Sequence, residues 1–160
     1  MSAYIQRFPG TRWTIVYGSN EGVEAFALEE LNRMVQAYLP YVVEVRQADS
    51  IEPEARSGHV ILVGTPENHP WIADLLDKKQ IRLPNHPDGI TAVCFPAEEN
   101  AGRMVVIAAR SPQGVLYGVE TFNSQILGSQ ALPEKLSPEN LRAALDQLAD
   151  FCVEDYPRVK

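Results

Sequence analysis

The side chains best suited to chemistry in this 160-residue chain are its acids, two cysteines and three histidines. The acids come in close pairs: Glu29 with Glu30, Glu52 with Glu54, Asp74 with Asp77, and Glu98 with Glu99. Two carboxyl groups flanking one bond can hydrolyse a glycoside, one as acid and the other as nucleophile or base. That work needs a cleft or strand end whose apolar neighbours push the two pKa values apart. Glu29 and Glu30 lie on the polar side of a helical pattern, and Glu98 and Glu99 lie in a hairpin turn. These pairs therefore read as solvated surface. His59, His69 and His86 are scattered, two of them before proline, and with Cys94 and Cys152 they make no zinc-ligand spacing. Neither Gly-x-Ser-x-Gly nor His-Glu-x-x-His occurs, and Cys94 has no histidine at a motif distance. YGSNEG, Tyr17 to Gly22, sets its two glycines four apart with no following lysine. It fits neither the dinucleotide fingerprint nor a phosphate loop, and reads as a strand-to-helix turn.

Composition narrows the partners. The net charge is −7, and Lys78 and Lys79 are the only adjacent basic residues. A nucleic-acid backbone is held largely by lysine and arginine, so no nucleic-acid partner is expected. No segment reaches the ~20 apolar residues that span a bilayer, and the first ten residues lack the apolar stretch of a signal peptide. No membrane, metal or cofactor is expected. The cysteines read as two thiols, at least one of them buried, rather than as a disulfide. The length suits one domain with a real core.

The elements that would position these residues follow from periodicity. Trp13–Gly18 reads as a strand. Ala27, Leu31, Met34, Val35 and Tyr38 mark one face of a helix, with Asn20 expected as its N-cap and Pro40 as its stop. Val42–Gln47 reads as a second strand. The continuous apolar run His59–Gly64 suits a strand covered on both faces. A helix carrying Ile72, Leu75 and Leu76 comes next. Gly89–Ala97 and Arg103–Arg110 then form an antiparallel hairpin. Ser111 and Pro112 open a helix to about Leu127, with Gly128 as its stop, and Ser137 and Pro138 open a last one to Phe151. One hairpin plus crossover helices implies a mixed sheet with helices packed on it.

The helix after the hairpin contains the most distinctive stretch, Gly114 to Leu127, GVLYGVETFNSQIL. Gly114 and Gly118 share one helical face, and each costs about 1 kcal/mol against alanine in a helix interior. Val115, Val119, Phe122 and Ile126 form the adjacent apolar stripe. Packing against the strand Met104–Ala109 accounts for the glycines better than a ligand does.

This stretch resembles the helix motif of the non-catalytic N-terminal domain of β-N-acetylhexosaminidases, with related motifs in α-glucuronidases and hyaluronidase-like N-acetylglucosaminidases. That motif reads roughly Gly-x-x-Tyr-Gly-x-x-Thr-x-x-Gln-Leu. Gly114, Tyr117, Gly118, Thr121 and Gln125 stand for its marked residues, with Ile126 for the leucine. Ala27–Leu31 (A-x-E-E-L), Val63-Gly64 and Ile107–Arg110 (I-x-A-R) are similar to other segments of such domains. Val153–Val159, VEDYPRV, resembles the entry to the catalytic (β/α)8 barrel.

The resemblance implies an α+β sandwich: a mixed, mostly antiparallel sheet of five or more strands, helices on one face, and a zincin-like topology without a zinc site. It implies that residues 1–150 are a single accessory domain and that 151–160 begin a linker toward the barrel. It also implies no catalytic residue in this chain, the parent enzyme's own barrel as partner, possible glycan contact, and an extracellular or periplasmic parent. Gly114, Tyr117, Gly118, Thr121 and Gln125 would then be structural or interdomain residues. The competing expectations are a free-standing carbohydrate- or protein-binding module, with Tyr4, Trp13, Tyr41, Trp71 and Tyr156 as candidate platforms, and a small α/β enzyme.

Overall fold

Alternation along the strands decides the architecture. In the computed structural model, residues 13–39, 42–50, 58–95, 102–126 and 151–157 are described. The strands are β1 (Trp13–Tyr17), β2 (Glu44–Gln47), β3 (His59–Gly64), β4 (Ile90–Phe95), β5 (Met104–Ala109) and β6 (Phe151–Asp155). They form one sheet in the order β2-β1-β3-β5-β4-β6. The α-helices are α1 (Gly22–Gln36), α2 (Pro70–Asp77) and α3 (Pro112–Thr121). The expected α+β class, a mixed sheet with helices packed on it, is what forms.

Within the sheet, β1 runs parallel to both β2 and β3, and β3 runs parallel to β5. β4 is antiparallel to β5, as expected of the hairpin, and also to β6. Parallel pairings are therefore in the majority, a correction to the mostly antiparallel sheet expected. One reason is connectivity: α1 lies between β1 and β2, and a helical crossover of that length returns the chain in the same direction.

Successive side chains point to opposite faces, and the core divides accordingly. On the front face, Ile15, Ile61, Ile90, Val105 and Ile107 are buried with Ala27, Leu31 and Val35 of α1 and Val115 and Val119 of α3. On the back face, Val16, Val60, Leu62, Val106 and Ala108 are buried with Trp71 and Ile72 of α2. Helices thus cover both faces, whereas the resemblance implied one. The continuous apolar run of β3 has this cause: His59 through Gly64 are all buried, with Ile61 and Val63 toward the front layer and Val60 and Leu62 toward the back.

Two further differences concern chain ends. Phe151–Asp155, expected as the end of a helix and the start of a linker, is instead the edge strand β6. Phe151 and Val153 turn to the front core while Cys152 is exposed. The rest of that last helix, residues 137–150, lies outside the described residues. The N-cap of α1 is Glu21, not Asn20, and makes no side-chain capping bond.

Candidate functional site

The motif helix α3 is built onto the sheet from its first residue. Ser111 caps it as expected: Ser111 Oγ accepts the Gly114 backbone N–H at 3.0 Å and donates to Asp88. Pro112 takes the first turn, where a missing N–H costs nothing. Gly114 and Gly118 then face β5. A Cβ on Gly114 would lie 3.0 Å from Ala109 Cβ, and one on Gly118 2.9 Å from Ile107 Cγ2. At either position a Cβ would make a neighbour give way, Ala109 beside Gly114 and the Ile107 side chain beside Gly118. Tyr117 is half-buried, and its hydroxyl donates to Asp155 Oδ2 of β6 at 2.9 Å. Thr121 is buried at the end of the helix.

Beyond Thr121 the helix changes pitch. Phe122–Ile126 forms a π-helical turn. The motif that this stretch resembles places two residues between its threonine and glutamine, whereas three separate Thr121 from Gln125. A π turn is how a helix takes up one extra residue. Gln125 therefore departs from that motif's spacing by one residue, and its side chain lies outside the described residues. Gly114, Tyr117 and Gly118 lie against β4, β5 and β6, and Thr121 is buried one turn on.

A second polar cluster was not apparent from spacing alone. β1 and β3 are parallel neighbours. The chain leaving β1 enters α1 on the front face, and the chain leaving β3 enters α2 on the back. In open α/β sheets a crevice opens at such a point, outside the carboxyl ends of the strands, and commonly holds a ligand. Here the Asn68 carboxamide lies at that point, against Gly18 and Gly64. Asn68 Oδ1 accepts the Thr65 backbone N–H at 3.1 Å, and Asn68 Nδ2 donates to both carboxylate oxygens of Glu24, at 3.0 and 3.1 Å. A Cβ on Gly18 would fall 2.1 Å from Asn68 Oδ1, so glycine at the end of β1 makes room for this carboxamide.

Glu24 is only 5% exposed. Burial raises its pKa; the Asn68 hydrogen bond lowers it, and the charge of Glu67 raises it further. The next residue, His69, is fully buried, with Nε2 3.0 Å from the Val16 carbonyl oxygen. Burial depresses its pKa to about 4, against the raising effects of that hydrogen bond and of Asp49. At neutral pH the ring is uncharged, and Nε2 carries the proton that it donates to Val16. One sequence signal could have located this cluster: Glu24 lies three and seven residues before Ala27 and Leu31, on the apolar stripe of α1.

The other candidates do not converge. Glu29, Asp74 and Asp77 are exposed, and Asp74 pairs with Lys78 at 3.0 Å. Glu52, Glu54, Glu98 and Glu99 lie outside the described residues. Among the described residues no three His, Cys, Asp or Glu side chains group as a metal site. Cys94 and Cys152 are free thiols. Cys94 turns into the front core, while Cys152 lines a 220 Å³ pocket on the back with Thr91, Val93 and Glu154. Trp13 and Trp71, two of the candidate sugar platforms, are 1% and 6% exposed. Tyr156 stacks on His86 with ring centroids 4.5 Å apart. Tyr4 and Tyr41 lie outside the described residues. No protein-family model and no curated protein matches the chain.

Proposed function

We propose that this chain is a catalytically silent accessory domain of a glycoside hydrolase, packing beside and supporting a (β/α)8 catalytic domain that acts on N-acetylhexosaminides or related glycans. The observation that carries this reading is where the motif helix spends its residues. Gly114 and Gly118 go to close approach against β5, Tyr117 to a hydrogen bond with β6, and Thr121 to the buried end of the helix. A motif consumed in seating a helix suits a scaffold. At the ends of β1 and β3, the place where such a sheet would hold a substrate, lies the Asn68 carboxamide, which supports the same reading.

The test is made on the native protein. An antibody to this domain should detect a species several times larger than the 17.8 kDa of this chain. That species should hydrolyse a chromogenic N-acetylhexosaminide, and the isolated chain should not. A native species of this chain's own mass, or hydrolysis by the isolated chain, would overturn the proposal.

A further inference from the structure

The cluster at the carboxyl ends of β1 and β3 has the parts of a ligand complex in which the ligand belongs to the chain. We propose that this crevice is a carboxamide-binding site occupied in cis by Asn68. Its recognition elements suit a planar amide and little else. The Thr65 backbone N–H donates to the amide oxygen, and the buried Glu24 carboxylate accepts from the amide nitrogen through both its oxygens. Glycine at both strand ends clears the space. The Cβ that Gly18 lacks would overlap Asn68 Oδ1, and the one Gly64 lacks would lie 3.0 Å from it. An ionised carboxylate ligand is disfavoured at the same place wherever Glu24 is itself ionised, because two like charges would meet in a buried site. An apolar ligand would leave both Glu24 and the Thr65 N–H without partners.

Tethering makes the internal occupant dominant. Thr65 and Asn68 are three residues apart, so the carboxamide is held at its site at a high effective concentration. Free amides are excluded from the intact chain. The same contact has a mechanical consequence. Glu24 lies in the first turn of α1 on the front face, and Asn68 directly precedes His69, the N-cap of α2 on the back. One side chain therefore clasps two helices across the top of the sheet. This inference does not rest on the accessory-domain reading: the Asn68 contacts are the same whether or not a catalytic domain adjoins the sheet.

The experiment vacates the site and refills it. Isotope-labelled Asn68→Gly protein is titrated with acetamide while the Thr65 backbone amide is followed by NMR. Acetate, of nearly the same shape, is the control, and the wild-type chain is titrated in parallel. The expected result is a saturable shift of the Thr65 signal with acetamide in the variant, none with acetate, and none in the wild type. An unsaturating drift, or an equal response to acetate, would overturn the proposal. Because the vacated chain could fail to fold, a second measurement uses the unaltered protein. The Asn68 side-chain protons should exchange with solvent at least about tenfold more slowly than those of the exposed Asn123. Equal exchange at the two residues would also overturn it.

Discussion

The Tyr117 hydroxyl donates to Asp155 Oδ2 at 2.9 Å, joining residues 38 apart in sequence and tying the motif helix to the edge strand of the sheet. β6 has only one strand neighbour, β4, among the described residues, and this bond is a second anchor for it. Tyr117→Phe keeps the ring on the front core and removes the bond. A bond to a carboxylate that is half-buried contributes about 1 kcal/mol, so the melting temperature should fall by about 3 °C. If Asp155→Asn and the double variant complete a cycle with no coupling between the two sites, the bond does not contribute as argued.

Gly118 sits closer to the sheet than any side chain could. Its missing Cβ would lie 2.9 Å from Ile107 Cγ2, with Ile90 Cβ next at 3.8 Å. Gly118→Leu must push α3 off β5 or force Ile107 from its rotamer, at a cost of about 1–3 kcal/mol. Gly118→Ala sets a smaller clash against a gain in helix propensity of about 1 kcal/mol. The leucine variant should therefore unfold at lower urea concentration than both wild type and the alanine variant. Unchanged stability in the leucine variant would reject close seating as the reason for the glycine.

Most of this packing was legible in the sequence, because the strands and helices carry strong periods. The run from His59 to Gly64 announced a strand covered twice, and Ser111-Pro112 announced a capped helix that the Gly114 N–H to Ser111 Oγ bond realises. What was not legible depends on distant partners. Phe151–Asp155 is five residues with two acids, and only pairing with Ile90–Cys94, about sixty residues earlier, makes it a strand. Nothing local to Pro70–Asp77 says which face of the sheet it covers; the crossover from β3 decides that. Glu24 stood on the apolar stripe of α1, but the partner that makes its burial tolerable, Asn68, is 44 residues away.

Buried His69 makes stability depend on acid. Its folded pKa is depressed to about 4 from an ordinary 6.5. The unfolded chain takes up a proton below pH 6.5 that the folded chain refuses until about pH 4. Stability from this group is therefore complete above 6.5, is lost progressively as pH falls to 4, and levels off below. The loss is about 3 kcal/mol. Glu24 acts with the opposite sign: its raised pKa gives stability present below 4.5 that is lost as pH rises through the folded value. Urea midpoints measured from pH 7 to pH 4 should fall in the wild type. In His69→Gln, whose amide can still donate to the Val16 carbonyl, they should fall less or rise. The same decline in both proteins would remove His69 as the cause.

Lys79 is the described non-glycine residue with a left-handed backbone, at φ 58°. It closes α2 in a paired-bond cap, with the Lys79 N–H on the Leu76 carbonyl at 3.0 Å and the Gln80 N–H on the Leu75 carbonyl at 2.9 Å. Glycine usually takes this position because a Cβ there crowds the backbone. Its preference for the left-handed region outweighs the extra freedom it gives the unfolded chain. The Lys79 side chain is exposed, so little packing is lost with it. Lys79→Gly should stabilise the protein by about 0.5–1 kcal/mol, read as a higher urea midpoint with an unchanged slope. Lys79→Ala, which keeps the Cβ, should not share the gain. If alanine stabilises as much as glycine, relief of the lysine's charge beside Lys78 is the cause, and the backbone argument fails.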